Sequence, residues 1–174
     1  MARKITQQQR FINERVRALA IVYLTRRDDL IVAEETSDNG VNLWVTLNPE
    51  HKEGHRKFAV ALRGSWESVA ADQANQALRP SMQDMSRFGP FALPVVVFFF
   101  TMRNNEAWYT WASEPVVSAT GDFEILQHAA AHCQPLDAAA IDEIIETVDH
   151  WYDAFFAKAT RGSSGSKQSK ASAR

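Results

Sequence analysis

Apolar residues in two long stretches of the chain recur at helical spacing. The first stretch follows a capping-box start formed by Thr6 and Gln9, and it predicts a helix over residues 7–26. The second predicts an amphipathic helix over residues 137–158, with acidic residues on or beside its opposite face. We expect this last helix to pack on the protein's own sheet; a dimer interface is the alternative. The two stripes are Ile12, Val16, Leu19, Ala20 and Tyr23, and then Ile141, Ile144, Ile145, Val148, Tyr152, Phe155 and Phe156.

Between these helices lie short apolar runs that are typical of β-strands. The run 95–100 is apolar without interruption, which predicts an interior strand covered on both faces. Alternation in the run 41–47 places Val41 and Leu43 on one face. If the buried faces of this strand and of the strand 58–64 match, three side chains converge on one side of the sheet. The predicted strands are 30–33, 41–47, 58–64, 95–100 and 107–111, and the converging residues are Asn42, Ala61 and Arg63.

A further helix is predicted over residues 67–78, ending before Pro80 because proline disfavours helical geometry in the residue before it. These elements predict an α/β (α+β) fold, in which a mixed β-sheet is flanked by helices and followed by the long C-terminal amphipathic helix. The length and the 45% hydrophobic content are typical of one domain, which we place at residues 1–160. Residues 161–174 form a basic Gly/Ser/Lys segment, which predicts a disordered tail.

Charge and cysteine content narrow the classes of function. The net charge is −2, and the four basic residues of the tail leave about −6 on the rest, so we expect no extended basic surface for nonspecific DNA binding. The single cysteine, Cys133, excludes an internal disulfide, and we expect it to be a small core residue of a helix. The chain shows no signal segment and no apolar run long enough to cross a bilayer, which predicts a cytoplasmic protein without a membrane partner.

The order of the predicted elements resembles the core of restriction-endonuclease-like proteins of the PD-(D/E)XK nuclease superfamily. More narrowly, four segments resemble those of an uncharacterised bacterial family in that superfamily, often found near mobile elements and defence genes. Its segments typically read Gly-Ile-Asp-Leu-x-Val-Glu, Phe-Ala-Val-(Glu/Gln)-Val-Lys-Gly, a Pro-Val-hydrophobic strand and Tyr-x-Trp. The resemblance covers about residues 10–115, and the matching segments here are Gly40–Thr46, Phe58–Gly64, Leu93–Phe100 and Trp108–Trp111.

The resemblance implies metal-assisted phosphodiester hydrolysis, with an Asp and a Glu or Gln binding Mg²⁺ and a Lys stabilising the developing charge. The corresponding positions here are Asn42, Ala61 and Arg63. Asn42 offers one neutral oxygen, Ala61 offers no ligand, and Arg63 keeps a cation that does not readily lose its proton. Because a hard divalent cation usually needs a charged carboxylate, we expect the degenerate site to lack catalytic activity and to need no cofactor.

Two alternatives remain open. In the first, acids from elsewhere rebuild a Mg²⁺-dependent nuclease site; the candidate metal ligands are Glu14, Glu34 and Asp38. In the second, the protein is an interaction module that binds a protein partner or forms a homodimer. His128 and His132 are four residues apart, a spacing that chelates a metal on a helix, but no third ligand accompanies them, so we expect a helix surface.

The leading hypothesis is a catalytically inactive, nuclease-like scaffold that binds nucleic acid, in a defence or mobile-element context, or serves as an accessory to other proteins. Cations contact phosphates, and an exposed tryptophan stacks on an unpaired base. The candidate residues for nucleic-acid binding are Arg56, Lys57, Arg63 and Trp44, with Trp66 as a further stacking candidate.

Overall fold

The computed structural model describes residues 6–47, 55–86 and 91–165. Within these residues the chain forms a mixed seven-stranded sheet flanked by three helices, which confirms the predicted fold class. The helices are α1 (Gln7–Leu24), α2 (Ala71–Ser86) and α3 (Ala138–Gly165). The strands are β1 (Leu30–Glu34), β2 (Leu43–Leu47), β3 (Arg56–Ser65), β4 (Val95–Thr101), β5 (Ala107–Val117), β6 (Phe123–Gln127) and β7 (Gln134–Pro135).

The strands lie side by side in chain order from β1 to β6, and β7 pairs with β5. Every pair is antiparallel except β3 and β4, which run parallel. A parallel pair needs a crossover connection, and α2 lies in the connection between these two strands. The carboxyl ends of β3 and β4 therefore meet at one end of the sheet.

Two apolar layers hold the helices on opposite faces of the sheet. Residues of α1 and α3 pack with one face of the central strands, including Phe58, Val60 and Phe98. Residues of α2 pack with the other face, including Ala59, Ala61 and Val97. Consecutive residues of β4 alternate between the two layers, so this strand is buried on both faces as its unbroken apolar run predicts.

The helix α3 docks on the protein's own sheet, as predicted. Ile144 and Val148 are at most 1% exposed, and Trp151 and Tyr152 join the same apolar layer. The helix continues to Gly165, into the segment predicted as a tail, and residues 166–174 lie outside the described residues. Among the described residues, no helix combines the length and the apolarity that crossing a membrane requires.

The helix α2 differs from its prediction because it continues through Pro80 to Ser86. Proline removes one helical hydrogen bond and costs roughly 3 kcal/mol in a helix interior. Met82 and Met85, which follow the proline, are at most 2% exposed. Burying a methionine side chain contributes about 1.5–3 kcal/mol, so these two side chains outweigh the cost of Pro80.

Two further predictions of local structure are wrong. Val41 does not share a face with Leu43; it lies before β2 and packs in the layer on the α2 side. His128, His132 and Cys133 do not lie on a helix, since the chain between β6 and β7 is an irregular connection. Neither of these two short strands was predicted from the sequence.

Candidate functional site

A cleft of about 240 Å³ opens where β3 extends past β2. The strand β2 pairs with β3 only as far as Val60, whereas β4 pairs with β3 up to Ser65. One edge of the last residues of β3 therefore lies beside the cleft instead of a strand. Ligands of open α/β sheets commonly bind at the carboxyl ends of parallel strands, and this cleft lies at that end of β3 and β4. Its lining consists of Asn13, Val16, Arg17, Asn42, Leu62, Arg63 and Gly64.

Asn42 takes the place of a strand partner at this edge. Its side-chain Oδ1 accepts a hydrogen bond from the Leu62 N–H at 2.7 Å. Its backbone N–H donates to the Val60 carbonyl at 2.8 Å, and its own carbonyl accepts from the Glu35 N–H at 2.9 Å. Asn42 thus links β3 to the end of β1. Its side-chain oxygen, the atom that would bind a metal ion, already accepts a hydrogen bond from the backbone.

Arg63 and Ala61 occupy different environments. Ala61 is fully buried in the layer beneath α2 and is not part of the cleft lining. Arg63 lines the cleft, and its Nη1 donates to the Leu62 carbonyl at 2.8 Å. Burial lowers the pKa of Arg63, and the charge of Asp84 on α2 opposes this effect. The structure therefore brings Asn42 and Arg63 together and leaves Ala61 outside the cleft.

Gly64 is required for the close approach of α1 to the cleft. A Cβ at this position would lie 2.5 Å from Val16 Cγ2 and 2.6 Å from Ile12 Cγ2, which is too close for any side chain. The absence of a side chain lets α1 lie directly on the end of β3. Backbone groups of alternate residues point the same way along a strand, so the N–H of Gly64 lies on the same edge as that of Leu62.

The helix α1 contributes two polar residues that the sequence did not single out, Asn13 and Arg17. Both directly follow residues of the buried stripe, Ile12 and Val16, and therefore lie at its border. Arg17 Nη1 is 3.5 Å from Glu34 Oε2, and both side chains are about half exposed. The helical spacing alone gives this border position, but only the packing of α1 against β3 shows that it faces a cleft.

The acids proposed for a relocated metal site do not assemble. Glu14, Glu34 and Asp38 are exposed, and Glu34 pairs with Arg17. Within residues 6–47, 55–86 and 91–165, no group of three or more His, Cys, Asp or Glu side chains is arranged to hold a metal ion.

Glu35, which follows Glu34, stabilises the turn between β1 and β2. Its Oε1 accepts from the Ser37 N–H at 2.8 Å, and its Oε2 accepts from the Trp44 indole N–H at 2.7 Å. Hydrogen bonds from the Ser37 backbone, the Trp44 side chain and the Ser37 hydroxyl lower the pKa of Glu35 to about 2.

Trp44 and Lys57 form a contact of their own, away from the cleft. Trp44 is half-buried, and Lys57 Nζ lies 4.8 Å from the centre of its ring. Lys57 is six residues before Arg63 on β3, which places their Cα atoms about 20 Å apart at the usual rise of a strand. Neither residue therefore belongs to the cleft. Trp44 and Lys57 were predicted to bind nucleic acid together with Arg63, but the structure separates them from it.

The structure contradicts the prediction that Arg56 contacts nucleic acid. Its side chain is 4% exposed and lies under α3, where Nη1 is 2.5 Å from Asp149 Oδ1 and Nη2 is 2.7 Å from Asp153 Oδ1. Nη1 also donates to the Asp149 carbonyl, and the guanidinium lies 5.7 Å from the centre of the Phe156 ring. Arg56 is thus a structural residue that fastens α3 to β3.

A second group of polar side chains lies at the edge of β5. His128 Nε2 is 2.6 Å from Glu114 Oε2, and the ring centres of His128 and His132 are 6.4 Å apart. The neighbouring Cys133 is half-buried, and burial raises the pKa of its thiol to about 11. A thiol with a raised pKa is a poor nucleophile at neutral pH, in agreement with a structural role for Cys133.

The lining of the cleft does not fit Mg²⁺. A hard divalent cation is bound by oxygen ligands, usually with at least one carboxylate, and no carboxylate is among the described lining residues. Arg17 and Arg63 would repel a cation, whereas guanidinium and amide N–H groups are donors suited to phosphate oxygens. The chemistry of the cleft therefore favours an anion.

Comparison with known proteins gives no family assignment, since no protein-family model matches the chain and no curated protein matches it. The function proposed below accordingly depends on the fold and on the chemistry of the cleft.

Proposed function

We propose that this protein is a catalytically inactive, restriction-endonuclease-like scaffold that binds nucleic acid and holds a backbone phosphate in the cleft between α1 and β3. The observation that carries the proposal is the lining of the cleft, which combines two arginines and two asparagines without a carboxylate. It lies where the resemblance places the metal site of an active nuclease. A relative that lost the metal but kept a phosphate ligand would have such a lining.

The environment of Arg63 supports an anionic ligand. A guanidinium has five N–H donors, and the hydrogen bond that the structure gives Arg63 uses Nη1 alone. Burying a charge is costly unless opposite charges and hydrogen bonds compensate it. Asp84 on α2 already supplies part of the opposite charge. A phosphate in the cleft adds to it and offers acceptors for further N–H donors of the guanidinium.

Arg17, Asn13 and Gly64 complete the proposed phosphate site. Arg17 brings a second guanidinium from α1, Asn13 brings an amide, and Gly64 brings a backbone N–H. Arginine binds phosphate through two parallel hydrogen bonds, which fixes the orientation of the ligand as well as its position. Such contacts position a nucleic acid and carry no sequence information.

In this proposal the protein does not hydrolyse the nucleic acid that it binds. Asn42 Oδ1 accepts from the Leu62 N–H, the Ala61 side chain has no atom that can bind a metal, and no described residue of the cleft supplies a carboxylate. We further propose that the protein acts in the cytoplasm, in the defence or mobile-element context that the resemblance implies, as a binding or accessory protein.

The binding test uses fluorescence anisotropy with labelled DNA and RNA at low salt. Arg63→Gln and Arg17→Gln each remove one phosphate contact, so we expect each to weaken binding several-fold for every sequence tested. Arg26→Gln is the matched control, because Arg26 is an exposed arginine beyond the other end of α1. Equal affinity of the Arg63→Gln variant and the wild type would refute the proposal, and so would the absence of binding by the wild type.

The same samples test the alternative of a nuclease with relocated acids. Incubation with single- and double-stranded DNA and RNA in Mg²⁺ or Mn²⁺ is expected to give no cleavage. Metal-dependent cleavage that disappears in Glu14→Ala, Glu34→Ala or Asp38→Ala would contradict the proposal and support a relocated active site.

A protein-interaction module is the second candidate, and the edge of the sheet favours it. The strand β1 is an outer strand of the described sheet, and Ile31 on it is 57% exposed. Only the last of its five residues, Glu34, carries a charge, and none is a proline; charges and prolines are the usual means of protecting an edge strand from pairing. Sedimentation as a concentration-independent monomer would exclude self-association through β1, and a dimer that Ile31→Lys dissociates would support it.

A further inference from the structure

Two exposed aromatic side chains lie at the same end of the sheet as the cleft. Phe11 on α1 is 46% exposed and Trp66 after β3 is 43% exposed, and their ring centres are 6.2 Å apart at an interplanar angle of 57°. Neither side chain belongs to the two apolar layers that form the core. The pair therefore exposes aromatic surface that the packing of the protein does not use.

The elements that carry this pair also build the cleft. Trp66 is three residues after Arg63 and directly follows the end of β3 at Ser65, so their Cα atoms are at most about 10 Å apart. Phe11 directly precedes Ile12, which packs against Gly64 of the cleft, and Trp66 is two residues after Gly64. A nucleic acid that places one phosphate between Arg17 and Arg63 thus brings its neighbouring nucleotides close to the two rings.

We infer that Trp66 and Phe11 form a stacking platform for an unpaired base, so that the cleft and this platform together select single-stranded nucleic acid. The positive lining of the cleft is complementary to a phosphate, and the aromatic surface is complementary to a base. Bases in a duplex are already stacked on each other, so a duplex would use the cleft but not the platform. This inference rests on the proposed function, because it assumes that the cleft holds a backbone phosphate.

The experiment compares wild type, Trp66→Ala, Trp66→Phe and Phe11→Ala for binding to a single-stranded DNA and to its duplex. Stacking on an aromatic side chain typically changes affinity by one to two orders of magnitude per base. We expect Trp66→Ala to lose about tenfold in affinity for the single strand and to keep its duplex affinity. Trp66→Phe, which keeps an aromatic face, is expected to retain most of the single-strand affinity.

Val22→Ala is the control, because Val22 is an exposed apolar residue on the same helix, 51% exposed and eleven positions after Phe11. Thermal unfolding of each variant checks that it folds. The inference is overturned if Trp66→Ala binds the single strand as tightly as wild type, or if it weakens single-strand and duplex binding equally. In both cases a loss of binding in Arg63→Gln would leave the proposed function intact, whereas an unaffected Arg63→Gln variant would refute the proposed function.

Discussion

Asn42 has a structural role that depends on no ligand. If the proposed nuclease-like ancestry holds, this position corresponds to the metal-binding acid of an active nuclease. Here the amide oxygen accepts the Leu62 N–H at 2.7 Å and closes the gap between β1, β2 and β3. A backbone N–H that lacks an acceptor in a partly buried position costs about 1–3 kcal/mol. By accepting from the Leu62 N–H, Asn42 therefore stabilises the folded state whether or not a ligand is bound.

Substitution of Asn42 separates the structural and the binding roles of this position. Asn42→Asp keeps an acceptor for the Leu62 N–H and adds a negative charge beside Arg63. We therefore expect thermal stability close to wild type but weaker nucleic-acid binding, measured by anisotropy at low salt. Asn42→Ala removes the acceptor, and we expect a loss of about 1–3 kcal/mol in the free energy of unfolding. Tighter nucleic-acid binding by Asn42→Asp would contradict a phosphate-binding cleft.

Arg56 and Lys57 illustrate which residue-level features the sequence can and cannot reveal. Both are cations that directly precede the predicted strand 58–64, and both were therefore predicted to bind nucleic acid. Alternation along the strand, however, puts Arg56 on the face of Phe58 and Val60, which are both fully buried. The alternation of the strand therefore predicts that Arg56 points inward. Its partners on α3 lie more than ninety residues away in the sequence, so the pattern alone does not identify them.

At the scale of elements, charged contacts fasten α3 to the rest of the molecule at two points. Arg27, just after α1, pairs with Asp29 and with Asp142 near the start of α3. Arg56 on β3 pairs with Asp149 and Asp153 in the middle of the helix. The two points differ in burial, since the Arg27 side chain is 33% exposed and the Arg56 side chain is 4% exposed.

The difference in burial predicts a difference in stability. Arg56→Gln removes the buried guanidinium that both aspartates contact, and we expect it to lower the free energy of unfolding by about 2–3 kcal/mol, allowing for the partial exposure of the aspartates. Arg27→Gln breaks a more exposed contact and should cost at most about 1 kcal/mol. Urea denaturation measures both values. Equal effects, or a loss of nucleic-acid binding in folded Arg56→Gln, would show that Arg56 has another role.

The turn between β1 and β2 gives a pH-dependent prediction. Hydrogen bonds in the folded state lower the pKa of Glu35 from 4.5 to about 2. A lowered folded-state pKa stabilises the protein above the unfolded-state pKa, and this contribution disappears as the pH falls from about 4.5 towards 2. We expect Glu35→Gln to be less stable than wild type at neutral pH and the difference to shrink across that range.

Thermal unfolding of both proteins as a function of pH measures this effect. Glu67→Gln is the control, because Glu67 is an acid in the loop after β3 whose single ion pair given by the described residues, with Arg103, joins two exposed side chains. A constant difference between wild type and Glu35→Gln from neutral pH to acid would contradict the role assigned to Glu35.

At the scale of the whole molecule, the sequence predicts the architecture better than the site. Strong periodic patterns gave α1, α3 and the central strands, because burial on one face or both imposes those patterns. The irregular chain between β5 and α3 carries no such pattern, and its short strands were missed. The end of α2 was misplaced because burial of Met82 and Met85 outweighs the local effect of Pro80.

The candidate site was only partly predictable, because contacts between distant segments leave no periodic pattern in the sequence. The resemblance marked Asn42 and Arg63, and both line the cleft. Asn13 and Arg17 reach it through the packing of α1 on Gly64, a contact between residues about fifty positions apart. A net charge of −2 likewise does not reveal that two arginines line one cleft, where Glu34 offsets the charge of Arg17 only through a contact that is about half exposed. Local charge, and not the total, decides which ligand the cleft favours.

The most direct test of phosphate binding in the cleft is the salt dependence of affinity for a single-stranded oligonucleotide. The slope of log K against log salt concentration is about −0.7 for each phosphate contact on single strands. Because both arginines contact the same phosphate, we expect the slope of the Arg17→Gln/Arg63→Gln double variant to be shallower than that of wild type by about 0.7, without any requirement for Mg²⁺. Identical slopes, or wild-type binding that appears only with a divalent metal, would show that the cleft does not hold the phosphate through these arginines.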